Sequence, residues 1–155
     1  GISLGFQIAS GDDSSSPLNF TNANPTEDIE SEVKLALLIN TLRDKKNAPI
    51  LIPDLKLQQV AQAHAKDMLA KGYFSHKSPD GTFAGGRLHQ AGVDATEVGE
   101  NLAKAQTIEL AQAGLIASPS HFKIMTSRDY NHIGIAVFDS GANGKIVVEV
   151  FAKLN

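Results

Sequence analysis

The chain has 155 residues, 42% of them hydrophobic and 20% charged, with 14 basic against 17 acidic side chains and no cysteine. That length suits one domain able to bury roughly 70% of its unfolded surface, while the missing cysteines exclude a disulfide-stapled miniprotein, a thiolate zinc site and a cysteine nucleophile. A net charge of −3 argues against a nucleic-acid partner, which needs a basic face to meet phosphates, and no apolar run nears the ~20 residues of a membrane-spanning helix.

The charge is uneven. No Lys or Arg precedes Lys34, whereas Asp12, Asp13, Glu27, Asp28, Glu30 and Glu32 are all acidic. The opening GISLGFQIAS has neither a basic n-region nor an initiator methionine, so it does not read as an intact signal peptide. From Ser10 to Pro25 the chain is rich in Gly, Ser, Asp, Asn, Thr and Pro, a composition that buries too little to offset its ordering entropy. Residues 1–25 are therefore expected to form a flexible acidic leader or tether, with 26–155 as the domain. The alternative is a leader packed along the domain through Leu18 and Phe20.

Thr26 is the expected N-cap of a first helix, followed by acidic residues where the helix dipole favours them. Ile29, Val33, Ala36, Leu37, Leu38 and Leu42 supply its apolar spacing, to about Arg43. After the proline-punctuated loop Asn47–Pro53, Leu57, Val60, Ala61, His64 and Met68 mark a second amphipathic helix ended by Gly72. A short helix is expected around Arg87 to Ala91. Thr107 caps a helix carrying Ile108, Leu110, Ala111, Leu115 and Ile116, stopped by Pro119, which can itself open a new short helix. Ile133–Phe138 and Ile146–Phe151 are β-rich, and Ser140–Gly144 between them reads as a hairpin turn. Helices followed by a terminal hairpin point to an α+β layered domain.

The five histidines, His64, His76, His89, His121 and His132, form no HExxH pair or close ligand spacing. His64 falls on a helix's apolar face and reads as a packed histidine satisfied by a backbone carbonyl; His89 reads as solvated and His132 as a strand-start residue. His76 stands in Tyr73-Phe74-Ser75-His76, on a turn-forming stretch beyond a helix C-terminus where a loop can present it to a cleft. His121 follows a helix stop in Ser118-Pro119-Ser120-His121. Between them lies Gly99-Glu100-Asn101-Leu102, a carboxylate beside an amide.

Taken in order, Asp67-Met68, Tyr73-Phe74-Ser75-His76, Gly99-Glu100-Asn101-Leu102-Ala103, Ser118-Pro119-Ser120-His121 and Ile133-Gly134-Ile135 resemble the bacterial branch of the CAP superfamily, the SCP domain. The superfamily includes cysteine-rich secretory proteins, antigen 5 and plant pathogenesis-related proteins of the first family. The resemblance runs from about Ile29 to Phe151. It implies a three-layer α-β-α sandwich of the CAP/SCP type with a cleft lined by His76, Glu100 and His121. It also implies that His76 and His121 can hold zinc or another divalent cation, with solvent or Glu100 completing the shell, because neutral imidazoles suit such ions. No organic cofactor is implied.

The sequence departs from the family pattern in places. Leu115 stands where relatives carry tryptophan and Ser118 where many eukaryotic members carry a second glutamate. Val147 and Glu149 replace the tryptophan and glutamine of a terminal strand motif, and Glu149 is a candidate for the missing carboxylate if it faces the cleft. Asn101 is expected to bond local backbone as an amide in an irregular connection, Ser75 and Ser118 to cap turns, Tyr73 and Phe74 to wedge into the core, and Arg87 to form a surface ion pair of little value. The resemblance implies a secreted or cell-envelope-associated bacterial domain, a non-enzymatic binding module whose partner is an unidentified protein, glycan or lipid. The alternatives are a metal-assisted hydrolase with Glu100 as general base and a sterol or fatty-acid binder. Eukaryotic members are rich in disulfides, so the absence of cysteine fits the bacterial branch.

Overall fold

A computed structural model describes residues 6–9 and 16–155. In chain order the elements are β1 (Gln7–Ile8), β2 (Ser16–Pro17), β3 (Thr26–Glu27), α1 (Ile29–Lys45), β4 (Ile52–Pro53), α2 (Leu55–Lys71), β5 (Tyr73–Phe74), α3 (Ala84–Gln90), β6 (Ala95–Ala105), α4 (Ile108–Ala117), α5 (Pro119–Thr126), β7 (His132–Asp139) and β8 (Lys145–Leu154). The main sheet runs β1-β6-β8-β7-β3, with β4 also pairing in parallel with β7. Its long strands are antiparallel, Glu100 facing Val150 across β6 and β8 and Ile135 facing Glu149 across β7 and β8.

Strand alternation sends successive side chains to opposite faces, and this builds two cores on one sheet. Leu102, Ala136, Phe138, Ile146, Val148, Val150 and Ala152 pack against α2 residues Leu57, Val60, Ala61, Ala65, Met68 and Leu69. Ala103, Ala105, Ile135, Val137, Val147 and Phe151 pack on the other side against Leu35 and Ile39 of α1, Ile108, Ala111 and Leu115 of α4 and Met125 of α5. The result is the expected α-β-α sandwich. α2 lies so close to β7 that a Cβ on Gly134 would sit 2.2 Å from the Leu57 carbonyl carbon.

The second helix follows its pattern: Leu57, Val60, Ala61, His64 and Met68 are all buried, Asp54 caps it, and Gly72 ends it in the left-handed region at φ 75°. Thr107 caps α4 by accepting from the Leu110 amide, and Pro119 opens α5 after a one-residue break at Ser118. Leu115, at the family's tryptophan position, is fully buried.

Three local expectations are corrected. α1 is capped by Asp28, whose carboxylate accepts from the Ser31 amide, while Thr26 lies in β3. The same helix turns Glu32, Leu35, Ile39 and Arg43 inward and leaves Ile29 64%, Val33 67% and Leu37 67% exposed. Polar anchoring sets this rotation: Glu32 accepts from the Val137 amide, and Arg43 donates to the carbonyls of Pro49, Met125 and Ser127. Finally, Gly99-Glu100-Asn101 sits within an eleven-residue strand, not an irregular connection. Its small and polar residues carry a weak strand signal, and pairing with the apolar β8 overrides local propensity.

Within the stretch expected as a leader, β1 pairs with β6, β2 pairs with β5, Leu18 is buried and Phe20 packs against the α2-side core. Residues 1–5 and 10–15, including Asp12 and Asp13, lie outside the described residues.

Candidate functional site

The cleft opens where the outer edge of β6 passes between α3 and α5. Its volume is about 360 Å³, and its lining includes Ala9, His76, Val98, Glu100, His121 and Ile124. Glu100 is carried by β6 on the α2 side of the sheet, while Gly99 and Asn101 point to the α5 side, as alternation requires. His76 reaches in from the loop after β5, and His121 from the first turn of α5. Both histidines and Glu100 are buried.

His76 Nδ1 lies 2.8 Å from Glu100 Oε1, and its Nε2 lies 3.1 Å from the carbonyl oxygen of Ala9. Both neighbours are acceptors, so both ring nitrogens carry hydrogen in this arrangement. Burial opposes the charge on His76, but the hydrogen bond and negative charge of Glu100, with the Ala9 carbonyl, outweigh it and hold the histidine above its ordinary pKa. His121 Nε2 lies 2.7 Å from the same Ala9 oxygen, and its Nδ1 lies 2.7 Å from Ser118 Oγ. Here burial dominates, with the charge on His76 adding to it, and the pKa falls. His121 is thus neutral, its Nε2–H donating to Ala9 and its Nδ1 accepting from the Ser118 hydroxyl. Ser118 makes no cap bond to α5; its hydroxyl orients the histidine.

Arg87 is the site residue that sequence reasoning undervalued. Its Nη2 donates to Glu100 Oε2 at 2.9 Å, while Nη1 donates to the carbonyls of His76 and Thr82 and to Ser78 Oγ. The expected surface ion pair is a buried one, with the two side chains 11% and 4% exposed. Burial resists the charge of Glu100, but the His76 hydrogen bond and the positive groups around it prevail and keep its pKa below the ordinary range. Both carboxylate oxygens are therefore committed to fixed donors.

Asn101 is also corrected. Its Nδ2 donates to the His121 carbonyl at 3.2 Å and to Glu149 Oε1 at 3.3 Å, spanning elements instead of bonding local backbone. Glu149 is fully buried behind the cleft on the α4–α5 face and is absent from the cleft lining. Burial pushes its carboxyl up to about 8, against the Asn101 bond. His64 is packed as expected, its Nε2 donating to the Ser75 carbonyl at 2.8 Å. Ser75 Oγ accepts from the Lys77 amide in a local turn, Phe74 is buried, and Tyr73 donates to Asp67. His89 is exposed on α3, and His132 begins β7.

The donor set bears on a metal. The Nε2 atoms of His76 and His121 converge on one point, now held by the Ala9 oxygen, and Glu100 and Ser118 hold the opposite ring nitrogens. A carboxylate on the far nitrogen of a ligating histidine is a recurrent second layer around metals. The two imidazoles thus fit a divalent ion, with Glu100 behind His76 and not a direct ligand. Among the described residues, no group of three or more His, Asp or Glu side chains is arranged to hold one.

Fold and cleft together define an α-β-α sandwich domain with a His/Glu cleft. Residues 37–151 match the Cysteine-rich secretory protein family, and the chain belongs to that family, the CAP superfamily, in which SCP domains fall. It is 31% identical over 125 residues to YkwD of Bacillus subtilis (strain 168), covering 80% of this chain and 49% of that protein. It is 33% identical over 108 residues to the membrane protein YlbC of the same strain, covering 69% and 31%. The chain therefore spans about half and a third of the length of these relatives. Among solved structures, an extracellular protein containing an SCP domain from Bacillus anthracis is similar at TM-score 0.74 and 29% identity, over 81% of this chain and 41% of that one. An outer surface protein from Borrelia burgdorferi shares the fold at TM-score 0.77 and 24% identity, over 86% and 100%. No described helix is long and apolar enough to cross a membrane.

Proposed function

We propose that the domain is a binding module of the bacterial cell surface or exterior, whose cleft takes zinc or a similar divalent cation through His76 and His121. The observation that carries this reading is the convergence of the two Nε2 atoms on a single acceptor, 3.1 and 2.7 Å away. Bound there, an ion supplies a concentrated positive charge and an electrophilic centre for an oxygen ligand. Glu100 holds the His76 ring by Nδ1 so that Nε2 faces the ion, and Arg87 holds Glu100. The same commitments speak for binding over hydrolysis, since a carboxylate already bonded through both oxygens and kept ionised below its ordinary range is a weak general base. Two structural neighbours, one extracellular and one an outer surface protein, support the location.

Calorimetric zinc titration tests the reading. The full chain binds zinc, and His76→Ala and His121→Ala each weaken binding by at least about tenfold, one lost ligand exceeding about 1.4 kcal/mol. Unchanged affinity in both variants contradicts it.

A further inference from the structure

The cleft is already occupied by part of its own chain. Gln7 and Ile8 pair antiparallel with Lys104 and Ala103 on the outer edge of β6, the side away from β8. Ala9 follows, buried, with its carbonyl oxygen between the Nε2 atoms of His76 and His121. At the other end, the Phe6 ring lies over α4 where Gly114 leaves space: a Cβ on Gly114 would fall 1.9 Å from Phe6 Cζ. Four consecutive residues are thus held by an aromatic seat, a strand ladder and a carbonyl clamp. The ladder and the clamp read only backbone, and the seat asks only for an aromatic ring three residues before the clamped carbonyl.

We infer that this cleft is a receptor for an extended peptide, added antiparallel to the outer edge of β6, with one carbonyl clamped between His76 and His121 and a preceding aromatic side chain seated on Gly114. Phe6–Ala9 is the resident occupant, and a partner peptide of the same pattern displaces it. Strand addition of this kind takes affinity from main-chain hydrogen bonds and selectivity from side-chain pockets. A tethered resident acts at an effective concentration of about millimolar, so only a peptide that fills the seat well displaces it. The clamp also sets the relation to metal. A carbonyl needs hydrogen on both Nε2 atoms whereas a cation needs their lone pairs, so peptide and cation exclude each other. The inference rests on the proposal that the cleft is a binding site, and it stands or falls separately from metal binding.

Fluorescence anisotropy with a labelled peptide of residues 3–12 tests it on the full chain without metal. Phe6→Ala, which unseats the resident, binds the peptide at least about tenfold more tightly than the unsubstituted chain, an unseated ring losing more than the ~1.4 kcal/mol a decade requires. Adding Gly114→Ala to that variant fills the seat and reverses the gain, as does replacing the peptide's own phenylalanine by alanine. Because alanine favours the helical state at position 114, this second variant keeps α4 intact. In the Gly114→Ala single variant, amide exchange at Gln7 and Ile8 rises as the resident is expelled. No peptide binding to Phe6→Ala, or equal binding after Gly114→Ala is added, overturns the inference. Saturating zinc weakens peptide binding if both use the clamp. Zinc that binds through His76 and His121 without competing contradicts the clamp, whereas peptide binding in a chain that takes no zinc upholds the inference and removes the metal reading.

Discussion

Glu149 carries a carboxyl in the α4–α5 core with Oε2 unpartnered among the described residues and a pKa pushed up to about 8 from an ordinary 4.5. The folded state therefore keeps a proton that the unfolded chain releases between those values, and stability falls as pH rises through that window. Glu149→Gln removes the titration while keeping shape. The variant is expected to match the unsubstituted chain near pH ~4.5 and exceed it by about 4 kcal/mol at pH ~8, read from denaturant midpoints at the two pH values. Glu32, also raised to about 8 by burial and by Glu27, leaves a residual slope in both proteins. The sequence marks Glu149 as a departure from the family strand motif, but alternation alone leaves its face open. The register facing Asn101 decides it.

Arg87 belongs to the same scale, and its importance was hidden for a simpler reason. Only three of the fourteen basic residues are arginines, and two of them, Arg43 and Arg87, are buried or nearly so with forks spread over several acceptors. Arginine is suited to such planar, multiple contacts where lysine is not, so its scarcity in a lysine-rich chain was the available signal. Arg87→Ala leaves Glu100 Oε2 buried without its donor and only His76 to balance the charge, and is expected to cost about 2–4 kcal/mol of unfolding free energy, read from denaturant midpoints. Arg87→Lys restores charge but not the fork and recovers only part of that loss.

At the level of elements, legibility followed how local the determining forces were. α2 was readable because its apolar spacing and its terminating Gly72 lie within its own sequence, although its Asp54 cap went unread. The β7–β8 hairpin was readable from two β-branched runs around a glycine-rich turn. β6 was not, because its residues become a strand only through partners on β8, and the rotation of α1 was not, because Glu32 and Arg43 answer to distant backbone groups. Contacts between elements give the next prediction. α2 and β7 touch through backbone at Gly134, so Gly134→Ala has no flexible neighbour to displace and is expected to cost at least ~3 kcal/mol. Its melting temperature falls by many degrees. A melting temperature indistinguishable from that of the unsubstituted chain contradicts this packing.

Across the whole molecule, the family resemblance carried by the motifs assigned His76, Glu100 and His121 to one cleft, yet it could not supply what joins them. That link is the Ala9 carbonyl, a backbone atom from a segment whose composition reads as tether. Backbone groups have no residue identity to recognise, and the positions of β1 and of the histidines are set by non-local pairing. The same sandwich that separates His76 and His121 by sequence and by sheet face brings their Nε2 atoms to one point. The central claim is that these two nitrogens form one metal-capable clamp. Long-range proton–nitrogen NMR of the five imidazoles during zinc addition tests it most directly. Nε2 of His76 and Nε2 of His121 are expected to shift together to metal-bound positions at stoichiometric zinc, while His64, His89 and His132 stay in place. Movement of only one of the pair, or of the other histidines alone, contradicts it.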